Sequence, residues 1–109
     1  MIRQLKRRLA IRRIQGMEAR FDRLCQAMAQ NPASLFEDGR LIAMRKRLIR
    51  YYESGEWLDD YEWDERGELP PDLKRGVLSQ DGLWNFLTDM EDYRRSRASE
   101  TKIEKESGN

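Results

Sequence analysis

Two acidic pairs come nearest to catalytic spacing in this chain, Glu62-x-x-Glu65 and Asp89-x-x-Asp92. Carboxylates three residues apart share a helix face, and two such faces opposed can cradle a hard cation such as Mg²⁺. The rest of the chain offers little to act with them. Histidine is absent, which removes the commonest general base and a usual nitrogen ligand for metals. There is no glycine-rich phosphate loop and no imidazole to activate a serine or cysteine nucleophile. The single cysteine, Cys25, lies among Leu24, Ala27 and Met28 and reads as a small core residue. Alone it forms no internal disulfide, and no zinc-ligand spacing occurs, so a reducing cytoplasm is the expected compartment.

The second chemistry on offer is electrostatic. Residues 1–50 carry 13 basic and 4 acidic side chains, residues 51–72 carry one Arg against nine Asp or Glu, and residues 73–109 balance at seven each. Of the 21 basic residues 16 are arginine, whose planar forks suit phosphates. Lys6, Arg7, Arg8, Arg12 and Arg13 are therefore the candidate contacts for a nucleic acid or other polyanion. Two features weigh against it: no aromatic residues interleave this stretch for base stacking, and the isoelectric point is only 7.8. A net charge of +1 fits better with the acidic segment lying against the basic helices, leaving a protein partner or self-association ahead of nucleic acid.

The elements that position these groups follow from composition and periodicity. At 109 residues the chain is one domain at most, with 39% hydrophobic and 38% charged residues. Nine β-branched residues are too few for a substantial sheet, so the fold class is all-α with no sheet. Ile14, Met17, Phe21, Leu24 and Met28 form one helical stripe, and Asn31-Pro32 should end that helix. Ser34 and Glu37 form an S-x-x-E capping pattern, predicting a second helix from about Leu35 to Glu53 that carries Leu35, Leu41, Ile42, Met44, Leu48, Ile49 and Tyr52. The short connection favours an antiparallel helical hairpin.

Ile2, Leu5 and Leu9 cluster on a face rotated by about 100° from the main stripe, with Gly16 near the change of phase. Residues 1–13 thus read as a basic amphipathic extension, removable without loss of the helical fold. Ser54 is the expected cap of a short aromatic-rich helix burying Trp57, Leu58 and Tyr61, with Asp59 and Asp60 facing solvent. Arg66-Gly67 stops it, and Pro71 opens one helical turn ending at Gly76. Ser79 caps a C-terminal helix with Asp81 in its first turn and Leu83, Phe86, Leu87 and Met90 inward, fading near Arg95. Residues 14–95 form the single helical domain and 96–109 a flexible polar tail. No stretch approaches the ~20 apolar residues of a membrane span.

The run from Tyr51 through Leu83, and within it Leu69-Pro70-Pro71-Asp72-Leu73-Lys74-Arg75-Gly76-Val77-Leu78-Ser79, resembles a small bacterial family known only as a domain of unknown function, DUF4298. The segment Ile14 to Asp22 is similar to the family's opening helix, so the resemblance covers roughly residues 14–90. The family-like positions are Tyr52, Trp57, Tyr61, Asp64, Glu65, Gly67, Leu69, Pro70, Asp72, Leu73, Lys74, Arg75, Gly76, Ser79 and Asp81, while Trp63 stands where a small residue is expected. The resemblance implies a cytoplasmic bacterial all-helical domain. It implies no activity and no catalytic residue.

The two acidic pairs also resemble the Mg²⁺ motifs of MazG-type nucleotide pyrophosphohydrolases. They depart from them in pairing Asp with Asp and in lacking an accompanying lysine or asparagine set. The preferred reading is a non-enzymatic interaction or regulatory module with no cofactor and no metal.

Overall fold

A computed structural model describes residues 1–107, which contain helices and no strand. Helix α1 spans Ile2–Gln30, α2 Ser34–Glu37, α3 Gly39–Glu53, α4 Glu56–Glu65 and α5 Gln80–Ser107, with a 3₁₀ turn at Gly76–Leu78 before α5. The protein is therefore all-α, and no helix among the described residues is long and apolar enough to cross a membrane.

Helix α1 buries Ala10, Ile14, Met17, Phe21, Leu24 and Ala27, so the expected stripe gains a turn at its start and at its end Ala27 is enclosed while Met28 is half buried against the core. It passes Gly16 unbroken. One glycine costs a helix only about 1 kcal/mol, and Arg20 Nη1 donates to the Gly16 carbonyl at 3.0 Å across the same turn. Residues 1–13 are thus the first turns of α1, with Ile2, Leu5 and Leu9 outside the core and Ala10 inside it.

The helix expected from Leu35 to Glu53 is two helices. Asp38 adopts extended backbone (ψ 121°), and its Oδ1 accepts the amides of Arg40 at 2.9 Å and Leu41 at 3.2 Å, which makes it the N-cap of α3. Ser34 instead donates its hydroxyl to the Asn31 carbonyl, so the Ser34–Glu37 capping box does not form. An aspartate followed by glycine favours a helix start over a helix interior, and here that local preference wins. Helix α3 packs on α1 and buries Leu41, Leu48 and Tyr51, delivering the chain to α4 beside Arg13.

Gly55, not Ser54, is the N-cap of α4, which buries Trp57, Asp60 and Trp63. Leu58 is 52% exposed and Tyr61 half buried, so the inward face lies one position round from the expected one. The helix ends in a Schellman motif: Glu68 N–H reaches the Trp63 carbonyl at 3.1 Å and Gly67 N–H the Asp64 carbonyl at 2.9 Å. Gly67 holds φ +70°, the left-handed conformation the motif requires.

No helical turn opens at Pro71. The turn lies at Gly76–Leu78, after the Pro70 carbonyl has accepted the Leu73 amide at 3.1 Å. Ser79 then caps α5 through its hydroxyl and the Gly82 amide at 3.1 Å, with Leu78 and Leu83 both buried in the common core. Leu83, Phe86 and Met90 face inward, and Phe21 meets Phe86 edge-on at 5.6 Å. Beyond the expected end at Arg95, α5 continues to Ser107. Glu91 pairs with Arg94 and Arg95 one turn on, and the segment is rich in good helix formers. Ser96, Ala98 and Ser99 are exposed, while Gly108 and Asn109 of the predicted tail lie outside the described residues.

Candidate functional site

A densely bonded polar group lies in the interior, where sequence reasoning placed a solvent-facing carboxylate. Asp60 is 0% exposed. Its Oδ2 accepts the Tyr51 hydroxyl at 2.6 Å and Arg13 Nε at 2.9 Å, and its Oδ1 accepts Arg13 Nη2. One carboxylate therefore ties α1, α3 and α4 together. Hydrogen bonding to Asp60 raises the Arg13 guanidinium above its ordinary range against the opposing effect of burial. Burial, reinforced by the bond to Asp60, pushes the Tyr51 phenol well above its ordinary value. Glu56 stands nearby, 3.9 Å from Arg13 and 3.7 Å from Arg47. A group so enclosed and so fully bonded holds the fold together and presents no reactive atom to solvent.

A second buried carboxylate acts on the loop after α4. Glu18 is 9% exposed, and its Oε2 accepts the Val77 amide at 2.8 Å. The Val77 carbonyl accepts Trp57 Nε1 at 2.9 Å, so the peptides on either side of Val77 are gripped from α1 and α4 respectively. Gly76 makes this approach possible, since a Cβ there would lie 2.9 Å from Glu18 Oε1. Signals for both buried acids stood in the sequence. Glu18 sits at the i+4 position from Ile14 on the apolar stripe, and Asp60 lies three residues from each of Trp57 and Trp63.

The family-like residues mostly build the same loop. Trp57 stacks on Tyr61 at 5.2 Å and meets Tyr52 at 5.4 Å, and the Glu65 carboxylate raises the Tyr61 phenol above its ordinary value. Arg75 is the loop's clamp. Its Nη1 reaches Asp64, its Nη2 the Pro70 carbonyl at 2.5 Å, and its Nε the Leu73 carbonyl at 3.2 Å. Leu69 is buried, Leu73 packs against the core, and Ser79 caps α5. Asp72, Lys74 and Asp81 are exposed. Asp72 and Lys74 stand on an open groove of about 470 Å³ between the loop and the α1 residues Ile11, Gln15 and Ala19. Trp63, where a small residue was expected, is buried at the end of α4 with Arg3 and Arg66 over its ring.

The candidate polyanion contacts divide into two groups. Arg13 is committed to Asp60, and Arg7 donates its Nε to the Glu68 carbonyl at 2.6 Å. Lys6, Arg8 and Arg12 are exposed and pair with no carboxylate among the described residues. Glu68 also pairs with Arg3 and Arg66, so the acidic segment does lie against basic side chains. The two acidic pairs are not gathered into one site. Among the described residues no group of three or more His, Cys, Asp or Glu is placed to hold a metal ion, and Glu62, Glu65, Asp89 and Asp92 are all exposed. Cys25 is half buried, and burial raises its thiol above the ordinary value, away from the reactive thiolate.

No curated protein and no solved structure matches the chain. One family model does, over residues 14–96, a span that takes in α1 from Ile14, Tyr51 with Asp60, the Glu18 contact and the Arg75-clamped loop but begins one residue after Arg13, and the chain belongs to that family, the domain of unknown function DUF4298.

Proposed function

We propose that the chain is a small non-enzymatic protein-interaction or regulatory module that engages its partner through the first turns of α1. The observation that carries this reading is the exposure of Ile2 (73%), Leu5 (57%) and Leu9 (49%) at helical spacing on a helix that the domain holds in place. Adjacent apolar side chains left in water on one helix face fit a helix-in-groove contact. Arg7 and Arg13 fasten this part of α1 to Glu68 and Asp60, so the stripe is presented without the entropy cost of ordering it on binding. A cytoplasmic setting goes with the reading, because the one thiol is half buried and unpaired with another cysteine.

The alternative partner is a polyanion held by Lys6, Arg8 and Arg12, which are exposed beside the apolar stripe. Affinity capture from the native host, with and without nuclease, separates the two. Retention of a protein after nuclease, lost in a Leu5→Asp/Leu9→Asp variant that melts like wild type, supports the module. Retention abolished by nuclease and by modest salt transfers the function to the basic side chains.

A further inference from the structure

A different face of α1 is self-complementary. Arg8, Ile11, Gln15, Ala19 and Asp22 recur at spacings of three and four and form one stripe down the helix. Arg8, Gln15, Ala19 and Asp22 are exposed, and Ile11 is half buried at the floor. Part of this stripe forms one wall of the 470 Å³ groove, whose far wall is Pro70, Asp72 and Leu73 with Lys74 at the rim. Nothing among the described residues covers it.

The charges along the stripe change sign about its middle. Arg8 lies seven residues before Gln15 and Asp22 seven residues after it. Neither forms an ion pair within the chain among the described residues, although Arg3, Arg13, Arg47, Arg66 and Arg75 each have a carboxylate. Arg12 adds positive charge near the first end, and Glu18, one turn before Asp22, adds negative charge near the second. A parallel partner helix in register would set like charge against like. An antiparallel copy reverses the order and sets opposite against opposite at both ends.

We propose that the protein forms a two-fold symmetric dimer in which α1 packs antiparallel on α1 of a second copy, centred on Gln15, with Arg8 of each chain opposite Asp22 of the other. The occupant is a second copy because its own stripe carries the complementary pattern, and two-fold pairing satisfies both ends and closes the assembly. Ala19 leaves room beside Ile11 for the helices to approach, and the two Gln15 amides meet at the axis, where each can donate to and accept from the other. Ile2, Leu5 and Leu9 centre about 110° round α1 from this stripe, so the dimer and the partner contact proposed above use separate faces of one helix.

Sedimentation velocity of the full chain over a range of concentration and salt tests the assignment. The dimer fraction should rise with concentration and fall with salt. Arg8→Asp and Asp22→Arg should each weaken association by about tenfold or more, since symmetry repeats the like-charge contact. The double variant Arg8→Asp/Asp22→Arg should restore it. Within one chain these residues lie about 21 Å apart along the helix, too far to pair, so rescue can only come from a second molecule. Thermal melts unchanged in all three variants confirm that the fold is intact. A wild-type chain that stays monomeric at every concentration overturns the dimer, and a double variant that stays monomeric overturns the pairing. Loss of the dimer in Leu5→Asp/Leu9→Asp would move the interface off this face.

Discussion

The Tyr51 hydroxyl donates to Asp60 Oδ2 at 2.6 Å inside the core, on the carboxylate that Arg13 grips from the other side. Taking a charge out of water costs several kcal/mol unless its lone pairs are used, and here three donors from two helices use them. The acid, the phenol and the guanidinium therefore act as one unit that sets where α4 sits relative to α1 and α3.

Replacing Asp60 separates this unit from ordinary surface charge. Asp60→Asn removes the charge facing Arg13 and leaves the buried amide with a hydrogen it cannot place, at a cost of about 3 kcal/mol. Asp59, its exposed neighbour, should tolerate the same change within about 0.5 kcal/mol. Urea denaturation of the two variants measures the difference, and equal midpoints would mean that Asp60 contributes nothing beyond a surface carboxylate.

The same unit predicts an alkaline limb. Below the ordinary phenol value of 10.0 both folded and unfolded chains keep Tyr51 protonated, so this group adds no pH dependence there. Above it the unfolded chain loses the proton while the folded chain, its phenol raised by burial and by Asp60, retains it. Stability therefore falls as pH rises past about 10, with the slope set by the proton released on unfolding. Tyr51→Phe should be less stable than wild type near neutrality and should show a shallower decline above pH ~10. Parallel declines in urea melts across that range would rule Tyr51 out as the source.

A double-mutant cycle tests the grip on the Val77 peptide. Gly76→Ala drives a methyl to 2.9 Å from Glu18 Oε1, so the carboxylate must swing off the Val77 amide. The expected loss is about 1 to 3 kcal/mol, the cost of leaving a buried amide without its acceptor. In a Glu18→Ala background that loss has already been taken, and Gly76→Ala should add little. Additive effects would show that Gly76 is required for some reason other than Glu18.

Periodicity carried the apolar framework of this fold. The α1 stripe, the inward side of α5 and its Ser79 cap follow from spacings of three and four and from one hydroxyl before a helical run. The charged interior was less legible because Asp60 and Asp59 are the same residue type in adjacent positions, and only the rotation of α4 decides which one is enclosed. Trp57 and Trp63, three residues to either side, mark the Asp60 face, but the Arg13 and Tyr51 contacts that enclose it come from other helices and leave no local pattern. The break at Asp38 was missed for the opposite reason. Two capping patterns four residues apart competed, and the Asp38-Gly39 pair, with its stronger local preference, prevailed. On the surface, Lys6, Arg7, Arg8, Arg12 and Arg13 look alike as a basic run, yet two of the five are consumed by the fold.

Truncation locates the boundary between display and core within α1. Deleting residues 1–6 removes Ile2 and Leu5, both exposed, and the solvent-facing Arg3–Glu68 pair, so stability should change by less than about 1 kcal/mol. Deleting residues 1–13 also removes the buried Ala10, the Arg7 bond to the Glu68 carbonyl, and Arg13. Asp60 is then left enclosed with Tyr51 as its single donor. Breaking a buried pair in this way costs about 3 to 5 kcal/mol, a large part of the ~5 to 15 kcal/mol that holds a domain together. The shorter deletion should therefore melt cooperatively near the wild-type temperature while losing its protein partner, and the longer one should lose its cooperative transition or shift it far downward. A chain lacking residues 1–13 that melts like the full protein would show that Asp60 finds its compensation elsewhere and that the core begins at Ile14.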